Sequence, residues 1–186
     1  MIRATFKTRP PRILDLDIEN RPASYRGDFP TADITAIACS FVGDKEIECW
    51  TLGPFKHVEM LEAFRERWDD ADMVTGHNIR RHDLPILNGA FIEFGLEPLD
   101  AKRSEDTLRD LRRTSGLPRD QESLCEMLGV AASKYHMTQH RWRVANRLQR
   151  VDLTERRVKS DVDDHKRLRE VLHRRGLLHP PRWWRP

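Results

Sequence analysis

No run in the sequence approaches the ~20 apolar residues that a membrane helix needs, and the 38% of hydrophobic residues is nearly matched by 34% charged ones. This reads as a polar, soluble protein. The opening stretch "MIRATFKTRPPR" is basic but leads into no apolar segment, so it does not read as a secretory signal. Cysteine is scarce. Cys39, Cys49 and Cys125 are odd in number, widely spaced and without a C-x-x-C pair, which argues against a disulfide framework and for buried thiols in a reducing cytoplasm. Internal repeats, low-complexity linkers and ATP-binding motifs are also missing. A chain of 186 residues fits one domain with its own core. The expectation is a single domain over residues 1–186, with a basic helix and tail from about residue 153.

The net charge of +3 hides an asymmetry. Residues 138–186 carry 14 Arg and Lys against 6 Asp and Glu, while the rest of the chain carries 19 against 24. A basic excess confined to one end suits contact with a polyanion such as nucleic acid, although a solvated helix face would give the same count.

Three strands open the chain: "ILDLDIE", then "ITAIACSFVG" and "EIECWTLG" joined by a tight turn. The period then changes. Val58, Leu61, Phe64 and Trp68 lie at helical spacing, a short buried strand "DMVTGHN" follows, and "DLPILNGAFIEFG" reads as a helix closed by Gly95. "EDTLRDLRRTSG" and "DQESLCEMLGV" read as two shorter helices. A long helix is expected from about Thr154 to Arg175, stopped by Gly176. This order predicts an α/β architecture with a mixed central sheet, a three-strand meander first, flanked by helices.

"ILDLDIEN" places Asp15, Asp17 and Glu19 on one face of the first strand, with Leu14, Leu16 and Ile18 on the other. Folding gains nothing from like charges two residues apart. Divalent cations between them would turn repulsion into ligation, and Mg²⁺ takes carboxylate oxygens. A two-metal phosphodiesterase site needs about four carboxylates, so later elements must supply more. Asp83 lies on the helix face shared by Leu87, Ala90 and Phe94. Asp161 and His165 lie within the stripe of Val158, Val162, Leu168 and Leu172, whereas Asp163 points away.

Together "LDIEN", "GHNIRRHD" and "SDVDDHKRL" resemble the three exonuclease motifs of the DEDD, DnaQ-like superfamily, whose fold is RNase H-like. The resemblance spans roughly residues 11–175. It implies that Asp17, Glu19, Asp83 and Asp161 bind two Mg²⁺ or Mn²⁺ ions, and that Asn78 holds its loop or touches substrate. The family places a His or Tyr four or five residues before its last Asp, where this chain has Arg156 and Arg157. His165 is the obvious substitute base, or else a core-edge histidine bonded to Asp161. His82, His136 and His140 are weaker candidates, and a metal-bound water needs no protein base.

Lys134, His140, Arg141, Trp142 and Arg143 interleave basic and aromatic side chains, which suits phosphate pairing and base stacking. His136 and His140 lack clear zinc spacing. The resulting expectation is a two-metal nuclease acting on DNA, foremost as a 3′–5′ exonuclease, with a role in replication, repair or recombination. The alternatives are a structure-specific endonuclease such as a Holliday junction resolvase, an exoribonuclease, and a non-catalytic nucleic-acid-binding module.

Overall fold

A computed structural model describes residues 9–21, 33–113, 116–130, 135, 137–147 and 150–186, the side chains of Arg21, Gln139, Arg143, Asn146 and Arg147 excepted. Six strands form one sheet: β1 (Ile13–Arg21), β2 (Asp33–Phe41), β3 (Glu48–Thr51), β4 (Met73–Gly76), β5 (Lys102–Asp106) and β6 (Arg182–Trp184). Their spatial order is β3-β2-β1-β4-β5-β6. The meander β1–β3 is antiparallel, β4 and β5 run parallel to β1, and β6 closes the far edge antiparallel to β5. This is the RNase H-like arrangement.

β1 lies in the middle, so both its faces are covered. Leu14, Leu16 and Ile18 pack with Phe64 and Trp68 of α1 (His57–Asp70) and with Leu84, Leu87 and Phe91 of α2 (Asp83–Glu93). Trp184 of β6 meets the same cluster, its ring edge-on to Trp68 at 5.8 Å. The terminal "RWW" is therefore a strand, and its Trp184 belongs to the core whereas Trp183 is exposed.

The other face of the sheet receives α5 (Val151–Arg174). Ala36 and Ala38 stand opposite Glu19 and Asp17 in register, and their small side chains pack on Val158 and Val162. Across this face runs a polar row, Ser40–Asp15–Thr75–Glu105, set by strand register. Helix α5 matches it with His165, Arg169 and His173, four apart and so on one side of the helix, and with Lys166 on the flank. His165 reaches Asp15, Arg169 and His173 reach Glu105, and Lys166 reaches Ser40. Buried charges here are paired, as their desolvation requires.

Two shorter helices complete the order: α3 (Gln121–Leu128), capped by Asp120 through Ser123 N at 2.8 Å, and α4 (Gln139–Arg147). The helix expected over "EDTLRDLRRTSG" is not present among the described residues of that stretch. Glu105 and Asp106 belong to β5, and the chain then turns. The strand "KRSED" carries no apolar residue, so alternation could not reveal it. Its buried Ser104, Glu105 and Asp106 are held by polar partners instead. Among the described residues no helix is long and apolar enough to cross a membrane.

Candidate metal centre

Two acids come from β1 and one from α5. One ligand oxygen from each of Asp17, Glu19 and Asp161 lies within 4.8 Å of the others. Asp83, the first residue of α2, is buried, and its Oδ1 accepts from Ile18 N at 3.1 Å. β4 ends at Gly76, so the edge of β1 beyond Thr75's partner Asp15 has no neighbouring strand there, and the Asp83 carboxylate takes up that N–H. Asp83 thus lies against the residue between Asp17 and Glu19, while the other three form the tight group.

The loop that delivers Asp83 is built for a close approach. A Cβ on Gly76 would fall 2.2 Å from Ile79 Cγ2 and 2.7 Å from Leu16 O, so only glycine fits. Asn78 then adopts φ +67°, a left-handed conformation that Asn tolerates better than most residues. The Asp106 carboxylate fixes this turn by accepting from Asn78 N and Arg80 N, each at 3.0 Å. Asn78 Oδ1 is buried with no hydrogen-bond partner among the described residues.

Arg157, four residues before Asp161, reaches into the acidic group. Its Nη2 lies 2.9 Å from Asp161 Oδ2 and its Nε 3.4 Å from Glu19 Oε1. Its Nη1 donates to Tyr135 O at 3.4 Å. A guanidinium between two of the carboxylates shows that this position favours positive charge. The donor set, all hard carboxylate oxygens, could hold a hard divalent cation.

Electrostatics agree. Burial pushes the Asp17 carboxyl well above the usual range, and Asp83, Asp161 and Glu19 push it further. Burial likewise raises Glu19 to about 7, with Arg157 opposing and Asp161 reinforcing the shift. Without metal, the folded protein therefore holds a proton on Glu19 that the unfolded chain releases near pH 4.5. Stability falls as pH rises through the window from about 4.5 to 7. Glu19→Gln should consequently stabilise the metal-free protein more at pH 8 than at pH 5, by up to about 3 kcal/mol. Chemical denaturation at the two pH values tests this; equal effects would mean that Glu19 is an ordinary surface acid. A divalent cation held by Glu19 would have to displace the same proton, so its affinity should rise across that window.

His165 occupies a different place from the one its spacing to Asp161 predicts. Its Nδ1 lies 2.7 Å from Asp15 Oδ2, and its Nε2 lies 3.0 Å from Thr107 Oγ1. Both ring nitrogens are engaged and the residue is 2% exposed. Thr107 also meets His77 Nδ1 at 3.0 Å. Asp15, two residues before Asp17, is thus the partner of His165, a pairing across 150 positions that spacing could not reveal. His82 sits beside Asp83, whose hydrogen bond raises its pKa.

Of the expected substrate contacts, His140 and Arg141 are exposed on α4 and Trp142 is half-buried. The Arg141 guanidinium lies 5.6 Å from the Tyr135 ring, and Arg157 joins the Tyr135 backbone to the acidic group. Lys134, His136 and the side chain of Arg143 lie outside the described residues.

No family model and no curated protein matches the chain. Its fold does match solved structures. One is a family B DNA polymerase from the hyperthermophilic archaeon Pyrobaculum calidifontis, at a TM-score of 0.69 and 17% identity, over 89% of this chain and 25% of that one. The chain thus spans about a quarter of that polymerase's length, and the likeness is one of fold.

Proposed function

We propose that this chain is a single-domain, metal-dependent nuclease that hydrolyses phosphodiester bonds of DNA, removing nucleotides from the 3′ end. The observation that carries this reading is the convergence of Asp17, Glu19 and Asp161 within 4.8 Å, with Asp83 bonded to the strand between the first two. The likeness to a DNA polymerase supports nucleic acid as the substrate.

Asp17, Glu19, Asp83 and Asp161 would hold two divalent ions, Mg²⁺ or Mn²⁺. When bound, such ions supply an activated water and stabilise the leaving oxygen. The chain's own part is to hold the acids rigidly. The Asp106 turn positions Asp83, and the Asp15–His165 pair anchors α5, which carries Asp161, against β1. The Asn78 amide oxygen is a group that substrate would satisfy. Arg157 would turn from counter-ion to phosphate contact once the acids are otherwise neutralised.

The second reading, a structure-specific endonuclease, is favoured by arginine at the positions where the exonuclease family has His or Tyr. Incubation with Mn²⁺ and end-labelled single-stranded DNA, duplex, four-way junction and RNA separates the two. Stepwise shortening of single strands supports the exonuclease. Paired incisions confined to the junction would replace it with a resolvase, and cleavage of RNA alone would change the substrate.

A further inference from the structure

A cavity of about 670 Å³ lies apart from the acidic group and is lined by Arg109, Arg112, Arg113, Arg119, Arg182 and His179. These basic side chains come from three stretches of the chain. The segment after β5 supplies Arg109, Arg112 and Arg113, the approach to α3 supplies Arg119, and the terminal segment supplies His179 and Arg182. Backbone pairing brings the first and last together: Arg112 N donates to Leu177 O at 2.9 Å and His179 N to Asp110 O at 2.7 Å.

Among the described residues no acid lines the cavity, and no carboxylate pairs with Arg109, Arg112 or Arg113. The neighbouring Asp110 is buried and is taken by Arg80, with Nη1 and Nη2 each at 2.8 Å. Arg119 is held as a wall by donating to the carbonyls of Leu108 and Leu111. Arg109, Arg112 and Arg113 are exposed and Arg182 has Asp110 Oδ1 4.0 Å away, so water and that acid tolerate the gathered charge, and an anion in the cavity would complement it. Guanidinium groups match phosphate geometry in a fork, which makes phosphate the fitting anion.

Arg109, Arg112 and Arg113 follow the carboxyl end of β5, and Asp17 and Glu19 lie in the carboxyl half of β1, past its pairing with β4, on the side where α/β sheets bind ligands. The cavity and the acidic group thus belong to one end of the parallel strands. Two ties connect them. Gln121, two residues after Arg119, donates from its side-chain amide to Asp161 O at 3.0 Å. Asp106, whose carboxylate holds the Asn78 turn, also accepts from Arg109 N at 3.0 Å.

We propose that this cavity binds the phosphodiester backbone of a nucleic-acid strand whose end lies at the acidic group. The choice of nucleic acid as the polyanion rests on the nuclease reading; the anion site does not. The test measures binding of a labelled single-stranded oligonucleotide in EDTA, by anisotropy across a salt series, so that no cleavage enters. Replacing Arg109, Arg112 and Arg113 together with Gln should weaken binding roughly 10–100-fold at ~0.1 M salt and reduce the log–log salt slope by about 2, near 0.7 for each lost contact. Arg113→Gln alone should reduce it by about 0.7. Melting curves of both variants should match the parent. An unchanged slope overturns the proposal even if the protein cleaves DNA. A reduced slope in a protein that cleaves nothing upholds the site and removes the nuclease reading. Inorganic pyrophosphate competing as well as unlabelled strand, at equal phosphate concentration, would make this a small-anion site and overturn the backbone assignment.

Discussion

Asp17→Asn should lower Mn²⁺-supported cleavage by about 10³-fold or more, and should raise the melting temperature of the metal-free protein. The loss would follow from removing a proposed metal ligand, since bound metal contributes several kcal/mol to transition-state charge stabilisation and each 1.36 kcal/mol is tenfold in rate. The gain in stability follows from the neighbours of Asp17. Burial and the charges of Asp83, Asp161 and Glu19 all act against its ionised form. Asp161→Asn should be equally inactive but should not melt higher, because it also removes the Arg157 pair at 2.9 Å. Opposite stability effects with a shared loss of activity would distinguish a metal ligand from a carboxylate that merely supports the fold. Full activity in either variant contradicts the assignment.

His165→Ala should destabilise the protein by about 3 kcal/mol, the upper end of the cost of leaving a buried polar group without its hydrogen-bond partner. The substitution strands Asp15, which is 0% exposed and loses its partner at 2.7 Å, and it also deprives Thr107 of the ring nitrogen at 3.0 Å. Burial already raises the Asp15 pKa, so the stranded acid can take up a proton, which limits the cost. Replacing both members, Asp15→Leu with His165→Leu, should recover much of the loss, since a buried pair is often replaceable by apolar residues of similar volume. Urea denaturation of the two single variants and the double variant gives the coupling directly. Kinetics decide the role. With His165 as a positioning residue, the pH–rate profile keeps its shape. A stable His165→Ala protein whose kcat falls roughly 10²–10⁴-fold, with loss of a limb of the pH–rate profile, would instead make it the general base.

Much of the site was legible because its residues break a rule. Carboxylates at alternate positions of an apolar strand, and Asp83 and Asp161 on helix faces that otherwise turn inward, are visible from periodicity alone. β5 was not legible, because a strand buried through Ser104, Glu105 and Asp106 has no hydrophobic alternation. Its stability comes from side chains far along the chain, such as Arg169, whose Nε lies 2.6 Å from Glu105 Oε1. The basic excess of the last segment was visible, but its use was not. Arg157, Lys166 and Arg169 turn toward the sheet and serve Glu19, Asp161, Ser40 and Glu105, so part of that charge neutralises the interior. The arginine cavity draws on residues dispersed over some seventy positions, and only the fold gathers them.

The most direct measurement is a time course with 5′-labelled single-stranded DNA, in Mn²⁺ and in EDTA, for the parent protein and Asp17→Asn side by side. The expected result is a ladder that shortens from the 3′ end in Mn²⁺ for the parent protein only. A strand left intact by the parent protein in Mn²⁺, or one degraded equally by Asp17→Asn, would contradict the assignment of these acids to a nuclease centre.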